Sequence, residues 1–400
     1  MARSGNEYYP VILDINSTFI RAGFAGDALP LETIKSVDQN DQSTLNKVPP
    51  YYDLNDASMT SEQLDMVMSC MFSSNPVIKQ VSEIYTKDSS HTRHSKSISG
   101  NNLQLKLSDI FINHLLVSPP RTKIIIVDSG YSILEKSRIS KILLFKIGVK
   151  SIIWTPESTL HVIGANSING LVVNVQWDSL LLNSIIDLRI ISHLEQFDKF
   201  NGNTLHYKII EKLLELEDED VNTLLKNTNL FDIIENFIAN AVYVRSIDDK
   251  DDDSRLFQIS EGINIPNRLR YEVVESLFFE EDNLSQLIAS NVIKLPIDLR
   301  PILLENIIIT GEMSNIPGFK SRLIREVRNL VTGIVSCKIT LGLWAGCSLY
   351  CSTTLVRQNE EVWKSQEITK ETLTKSISPD GIYLTNIPDA FNSLYKNSST

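Results

Sequence analysis

At 400 residues, with 42% hydrophobic and 22% charged side chains, the chain is long enough to bury one or two ordinary cores, and two lobes are the natural expectation. A formal net charge of −11 and a pI near 5.2 argue against nucleic-acid binding as its main business, because affinity for a phosphate backbone is mostly cation-driven. The N-terminus MARSGNEYYP lacks the apolar stretch of a leader, and no later apolar run approaches the roughly 20 residues that span a bilayer, so a soluble protein of cytosol or nucleus is expected.

In chain order, the first readable unit runs from Val11 to Asp27. An apolar strand ends in Asp14, turns, and re-enters an extended run closed by Ala22, Gly23, Phe24, Ala25, Gly26 and Asp27. From Ser36 to Leu105 the pattern is weak, with one amphipathic helix predicted over Ser61 to Phe72 and a polar tract, Lys87 to Asn102, that holds His91 and His94 and reads as a mobile loop. Alternation then sets in. Helices are predicted over Ser108 to Leu116, Glu135 to Ile147 and Glu157 to Ala165, and strands over Thr122 to Val127, Ser151 to Trp154 and Gly170 to Val175, which is the signature of an α/β sheet flanked by helices.

A second hairpin follows, then helices over His206 to Leu216 and Leu230 to Val244, flanked by acidic runs at Glu215 to Asp220 and Asp248 to Asp253 that read as solvated surface. A buried strand, Asn306 to Ile309, ends in Thr310-Gly311, loops through Pro317-Gly318 and opens an amphipathic helix, the arrangement by which α/β folds place loops and helix N-termini around a ligand. The last block, Leu341 to Thr354, reads as a helix rich in small residues. Four cysteines, Cys70, Cys337, Cys347 and Cys351, are too few and too oddly spaced for a disulfide framework. Cys347 and Cys351 stand one helical turn apart without a nearby His, so they read as core residues and no metal site is expected.

The hairpin Val11 to Asp27, the block Glu305 to Val327 and the block Leu341 to Thr354 together resemble the actin family. The resemblance implies an actin-like α/β fold of two lobes: residues 1–165 with 345–400 as the first, its divergent small subdomain about 36–105, and 166–344 as the second, its small subdomain about 206–266. In that family the first hairpin turn lies under the nucleotide phosphates and carries two glycines; here those positions are Asn16 and Thr18. The run Ile124 to Gly130 looks like the family's second phosphate hairpin, yet it lies between two helices, so Gly170 to Asp178 is assigned to that hairpin instead. This register puts Asn174 where the family has its metal-organising Asp, with Val175 and Gln176 in place of small residues. It puts Glu157 where the family has the glutamine that positions attacking water. Ile238 and Ala239 replace a Lys and a Glu that contact the nucleoside, and Glu312 stands where a second glycine is usual. Of the family's nucleotide contacts, Asp14, Ser17, Arg21, Gly202 and Gly311 remain as a remnant ATP site; no catalytic residue is assigned, and ATP or ADP is expected at most as a structurally bound ligand.

Three segments resemble a narrower group within the family, the actin-related proteins at the pointed end of dynactin: Lys294 to Glu312, the run RTKIIIVDS, and Asn386 to Phe391. Taken alone, Pro296 to Leu304 is simply a helix start, with Pro at its beginning and Asp298 near its first turn. The resemblance implies a non-catalytic cytoplasmic, cytoskeletal subunit that caps the filament and serves dynein. Its partners would be the actin-like filament subunits and the other pointed-end subunits, with no nucleic acid, no membrane insertion and no filament of its own. Its docking face would include the tail around Trp363 and Phe391, while the polar Ser36 to Leu105 segment would lack the apolar anchor for a further subunit. Two alternatives come from the same family: a nuclear actin-related subunit of a chromatin remodeller, whose acidic runs would meet a basic helix, and an active ATPase of the actin superfamily.

Overall fold

Runs of β-branched residues bounded by turns dictate the two sheets. A computed structural model describes residues 8–16, 19–35, 100–131, 133–177, 179–194, 196–198, 200–216, 221, 224, 230–245, 255–260, 262–280, 283–355 and 360–376. The first sheet is built from β1 (Tyr9–Ile15), β2 (Phe19–Phe24) and β3 (Glu32–Lys35), a meander, followed after α1 (Gly100–Asp109) by β4 (Thr122–Asp128) and after α2 (Ile133–Lys141) by β5 (Ser151–Pro156). Its order is β3-β2-β1-β4-β5, with β1, β4 and β5 parallel and the meander antiparallel. Strands buried on both faces read as continuous apolar runs. Accordingly Val11, Leu13, Ile15, Ile124, Ile126, Ile152 and Trp154 enter one core, with α1 and α2, while Ile12, Ile125, Val127 and Ile153 enter another on the opposite face.

After α3 (Glu157–Gly164) the second sheet begins with the antiparallel pair β6 (Gly170–Val175) and β7 (Leu180–Ile186), which β8 (Arg189–Ile190) and β9 (Gln196–Asp198) extend. Helices α4 (Gly202–Leu214) and α5 (Leu230–Asn240), the ribbon β10 (Leu256–Ser260) and β11 (Ile263–Pro266), and helices α6 (Leu269–Phe278), α7 (Leu284–Lys294) and α8 (Leu299–Leu304) intervene before β12 (Ile307–Thr310) pairs parallel to β6. Leu171, Val173 and Val175 point into the large core with α4 to α7 and α9 (Phe319–Leu330), and the alternate residue Val172 packs with Ile308, Ile185 and Val162 of α3. Since Leu160 belongs to the first sheet's core and Val162 to this small one, α3 has an apolar foot on each sheet. Helix α10 (Leu343–Tyr350) lies across α3, and α11 (Glu360–Gln366) and α12 (Lys370–Ser376) bring the chain back to the first sheet, where Ile368 bridges Ile152.

Several boundaries differ from the sequence reading. Helix α1 starts at Gly100, eight residues before the predicted Ser108, because Leu103 and Leu107 extend the buried spacing of Ile110 and Phe111 backwards. It continues as a wider, π-type turn over Ile110–His114, as α2 does over Ile142–Ile147 and α10 over Cys351–Leu355. Helix α4 starts at Gly202 rather than His206, since the Asn201 side chain caps it by accepting from the Thr204 amide at 2.9 Å. Helix α5 stops at Asn240 rather than Val244, where the Tyr243 and Val244 amides turn to the carbonyls of Arg270 and Pro317. Of the polar tract Lys87 to Asn102 only the last residues, which open α1, are described; Ser61 to Phe72, His91, His94 and Phe391 lie outside the described residues. Trp363 does not lie on an outer face: it is buried, and its indole N–H donates to the Ser151 hydroxyl at 3.3 Å.

Candidate functional site

The two sheets repeat one device. Strand β1 ends in Ile15 and the Asn16 amide closes the turn onto the Phe19 carbonyl at 2.7 Å; strand β6 ends in Val175 and the Gln176 amide closes its turn onto Ser179 at 2.9 Å. The hairpins thus superpose position for position, Asp14 upon Asn174 and Asn16 upon Gln176. Residues two apart on a strand share a face, so each hairpin sends a pair of polar side chains to one side. The Ile124 to Gly130 run is indeed no hairpin. Asp128 ends β4, accepts from the Gly130 and Tyr131 amides at 3.1 and 3.2 Å, and is ion-paired with Lys136 of α2, which makes it a strand-to-helix turn.

At the first hairpin, Asp14 is buried and lies opposite Arg21 in the β1–β2 register. Arg21 Nε and Nη2 both donate to Asp14 Oδ2, at 2.9 and 2.5 Å, and the guanidinium rests 4.3 Å from the Phe19 ring centroid. These two predicted site residues therefore neutralise one another in a charge-assisted pair. Ser17 and Thr18 lie outside the described residues. Below the hairpin is α10: burial first, and then neighbouring Cys351 and Asp14, push the Cys347 thiol well above its ordinary value.

At the second hairpin, the carboxylate of Glu157 is the centre. Glu157 opens α3, where the helix dipole favours an anion. Its Oε1 accepts from Asn174 Nδ2 at 2.9 Å and from Gln176 Nε2 at 2.7 Å, and His161 Nε2, one turn along α3, stands 3.5 Å away. Asn174 has 0% of its surface exposed, and Glu157 and Gln176 have 5% each. The other ring nitrogen of His161 lies 3.4 Å from the Thr310 hydroxyl, and Thr310 is the register partner of Asn174. Next along α3, Ser158 accepts from Asn183 of β7 at 2.9 Å.

Gly202 and Gly311 flank this cluster. A Cβ on Gly202 would lie 2.6 Å from the Trp177 ring and 3.1 Å from the Met313 methyl. Gly311 has φ +92°, and a Cβ there would lie 2.3 Å from the Val175 carbonyl oxygen and 2.7 Å from Asn174 Oδ1, so only glycine fits. The close approach that these glycines permit is thus to the chain itself. The amides that open α4 are also engaged: Gly202 with the Gln176 carbonyl at 3.0 Å, Asn203 with Trp177 at 2.8 Å, and Thr204 with the Asn201 side chain. Behind them Trp177 meets His206 edge to face at 4.4 Å, and Ile238 is buried in the same core as Trp177 and Met313, while Ala239 is exposed. His206 Nε2 lies 2.5 Å from Glu235 Oε1; burial lowers the pKa of His206 despite that carboxylate, which raises it.

Of the predicted site residues, Asp14 joins Arg21, Gly311 joins the Glu157 cluster through Asn174, and Gly202 sits against Trp177. Gln176, His161 and Met313 complete the arrangement without having been singled out as contacts. The first two were readable, Gln176 from its two-residue spacing on Asn174 and His161 from its four-residue spacing on Glu157. Among the described residues, the groups at the second hairpin do not fit a divalent cation. Among the described residues the second hairpin offers amides where a cation needs a carboxylate, and its neighbouring helix N-terminus bonds to the turn. No group of three or more His, Cys, Asp or Glu is placed to hold a metal, and no helix is long and apolar enough to cross a membrane, again among the described residues. The paired hairpins, the sheet order and the crossing of α3 by α10 agree with a family-wide comparison in which the Actin family model matches residues 5–358, and the chain belongs to the actin family.

Proposed function

We propose that this protein is a non-catalytic actin-related subunit that caps the pointed end of dynactin's actin-like filament, meets the other pointed-end subunits there, and supports dynein-driven transport and nuclear migration in the cytoplasm. The observation that carries the non-catalytic half is the engagement of Glu157 by Asn174 and Gln176. Phosphoryl transfer is done by positioned groups that orient water and neutralise charge. Here the residue in the water-positioning place is a carboxylate one of whose oxygens already takes two amides, and the residue in the metal-organising place is an amide that donates to it. The subfamily half rests on the resemblance carried by Lys294 to Glu312, RTKIIIVDS and Asn386 to Phe391. The first of these folds as α8 followed by β12 and delivers Gly311 to the cluster.

The test is direct imaging of the labelled full-length chain on actin-like filaments stripped of their pointed-end subunits. Label confined to one end, arrest of growth there, and no pelletable filament from the chain alone at micromolar concentration are the expected results. Label along the filament sides, or filaments of the chain itself, would overturn the capping reading.

A further inference from the structure

The first turn of α3 is bound to the second sheet by three buried side-chain hydrogen bonds: Asn174 to Glu157 at 2.9 Å, Gln176 to Glu157 at 2.7 Å and Asn183 to Ser158 at 2.9 Å. The same helix follows directly on β5 of the first sheet and packs Leu160 into that sheet's core. Any force that parts the two sheets at this place must therefore either break these bonds or pull α3 off its own strand. Three further contacts engage groups at or near the two hairpins. Asp14 is neutralised by Arg21, the α4 amides are bonded to the second hairpin's turn, and Met313 reaches toward Gly202 from the loop after β12.

We propose that Glu157, Asn174 and Gln176 form an internal latch, in which the carboxylate of Glu157 fills the anion niche beside the second hairpin and ties the two sheets together without a nucleotide. The inference rests on the non-catalytic reading of the site and not on the identity of the partner. A carboxylate supplied by α3 gives the hairpin amides the negative partner that a phosphate would otherwise give them, and it does so at no cost in binding entropy because it belongs to the chain. The protein is then nucleotide-indifferent: its stability and its surface do not report on ATP, ADP or hydrolysis.

The test uses the purified full chain and its thermal unfolding, alone and with saturating magnesium–ATP or magnesium–ADP. A ligand that binds only the folded state raises the melting temperature, by about 3 °C or more once well above its dissociation constant. The latch predicts no such rise. It also predicts that Glu157→Ala lowers the melting temperature, and that Glu157→Gln, whose amide oxygen can still accept from both side chains, keeps most of it. A nucleotide-induced rise in the wild-type protein would overturn the latch, and so would a Glu157→Ala variant as stable as wild type; should that variant fail to fold, the wild-type titration decides alone. A nucleotide-stabilised chain that still sits at filament ends would sink the latch and leave the capping reading standing, and a nucleotide-indifferent chain absent from those ends would do the reverse.

Discussion

Two buried amides aim at one oxygen of Glu157, so removing that oxygen strands both donors. An unsatisfied buried donor costs about 1–3 kcal/mol, and Glu157→Ala should destabilise the protein by about 2–4 kcal/mol in urea unfolding. His206 sets a second residue-scale expectation. Its folded pKa is lowered from 6.5, chiefly by burial, so the unfolded chain takes up a proton more readily than the folded one. Stability is therefore full above about pH 6.5 and falls as the pH drops below it, against the opposing pull of Glu235. The difference in unfolding free energy between wild type and His206→Gln should shrink on acidification through that window; an unchanged difference would contradict the assignment. Thiol chemistry offers a third expectation. Burial pushes Cys351 up to about 12 and Cys347 well above its ordinary value, whereas Cys337 is exposed, so native maleimide labelling followed by peptide mass spectrometry should mark Cys337 and spare Cys347 and Cys351.

At the scale of elements, the crossing of α3 and α10 has the least slack. A Cβ on Gly346 would lie 1.9 Å from the Leu160 carbonyl oxygen, and one on Gly164 would lie 2.7 Å from that of Gly342. Backbone cannot yield as a flexible side chain can, so Gly346→Ala should cost about 3 kcal/mol or more and be seen as a large drop in melting temperature. The strands were the most legible elements in the sequence. Val11 to Ile15, Ile124 to Val127 and Gly170 to Val175 carry their burial in their composition, and their order alone indicates parallel strands with crossover helices. Helix limits were less legible because caps and long-range amide partners decide them, as Asn201 does for α4 and Pro317 for α5. The cluster around Glu157 was legible as unusual residue types and as the spacings of Gln176 on Asn174 and His161 on Glu157, each local in sequence. What they do depends on contacts 17 and 19 residues apart in sequence that bring a helix of one half onto a strand of the other, and no local spacing encodes that. Trp363, placed on a docking face only by the family resemblance, is buried for the same kind of reason, through a contact with Ser151 that is distant in sequence.

For the whole molecule, each sheet carries one copy of a strand-turn-strand device, and Asp14 at the first and Asn174 and Gln176 at the second bond to other side chains of the chain. An actin-family protein so arranged has the family's scaffold with Asp14, Asn174 and Gln176 turned toward side chains of its own chain. On the capping reading proposed above, such a molecule would serve as a fixed end-piece, with Glu157 held by Asn174 and Gln176. On that reading its value would lie in the surfaces it presents to its neighbours. The measurement that tests this most directly is affinity purification of the tagged chain from its own cells at moderate salt, with every co-purifying protein identified by mass spectrometry. Recovery of dynactin's filament subunits together with dynein is the predicted result. Recovery of chromatin-remodelling subunits in their place would contradict it.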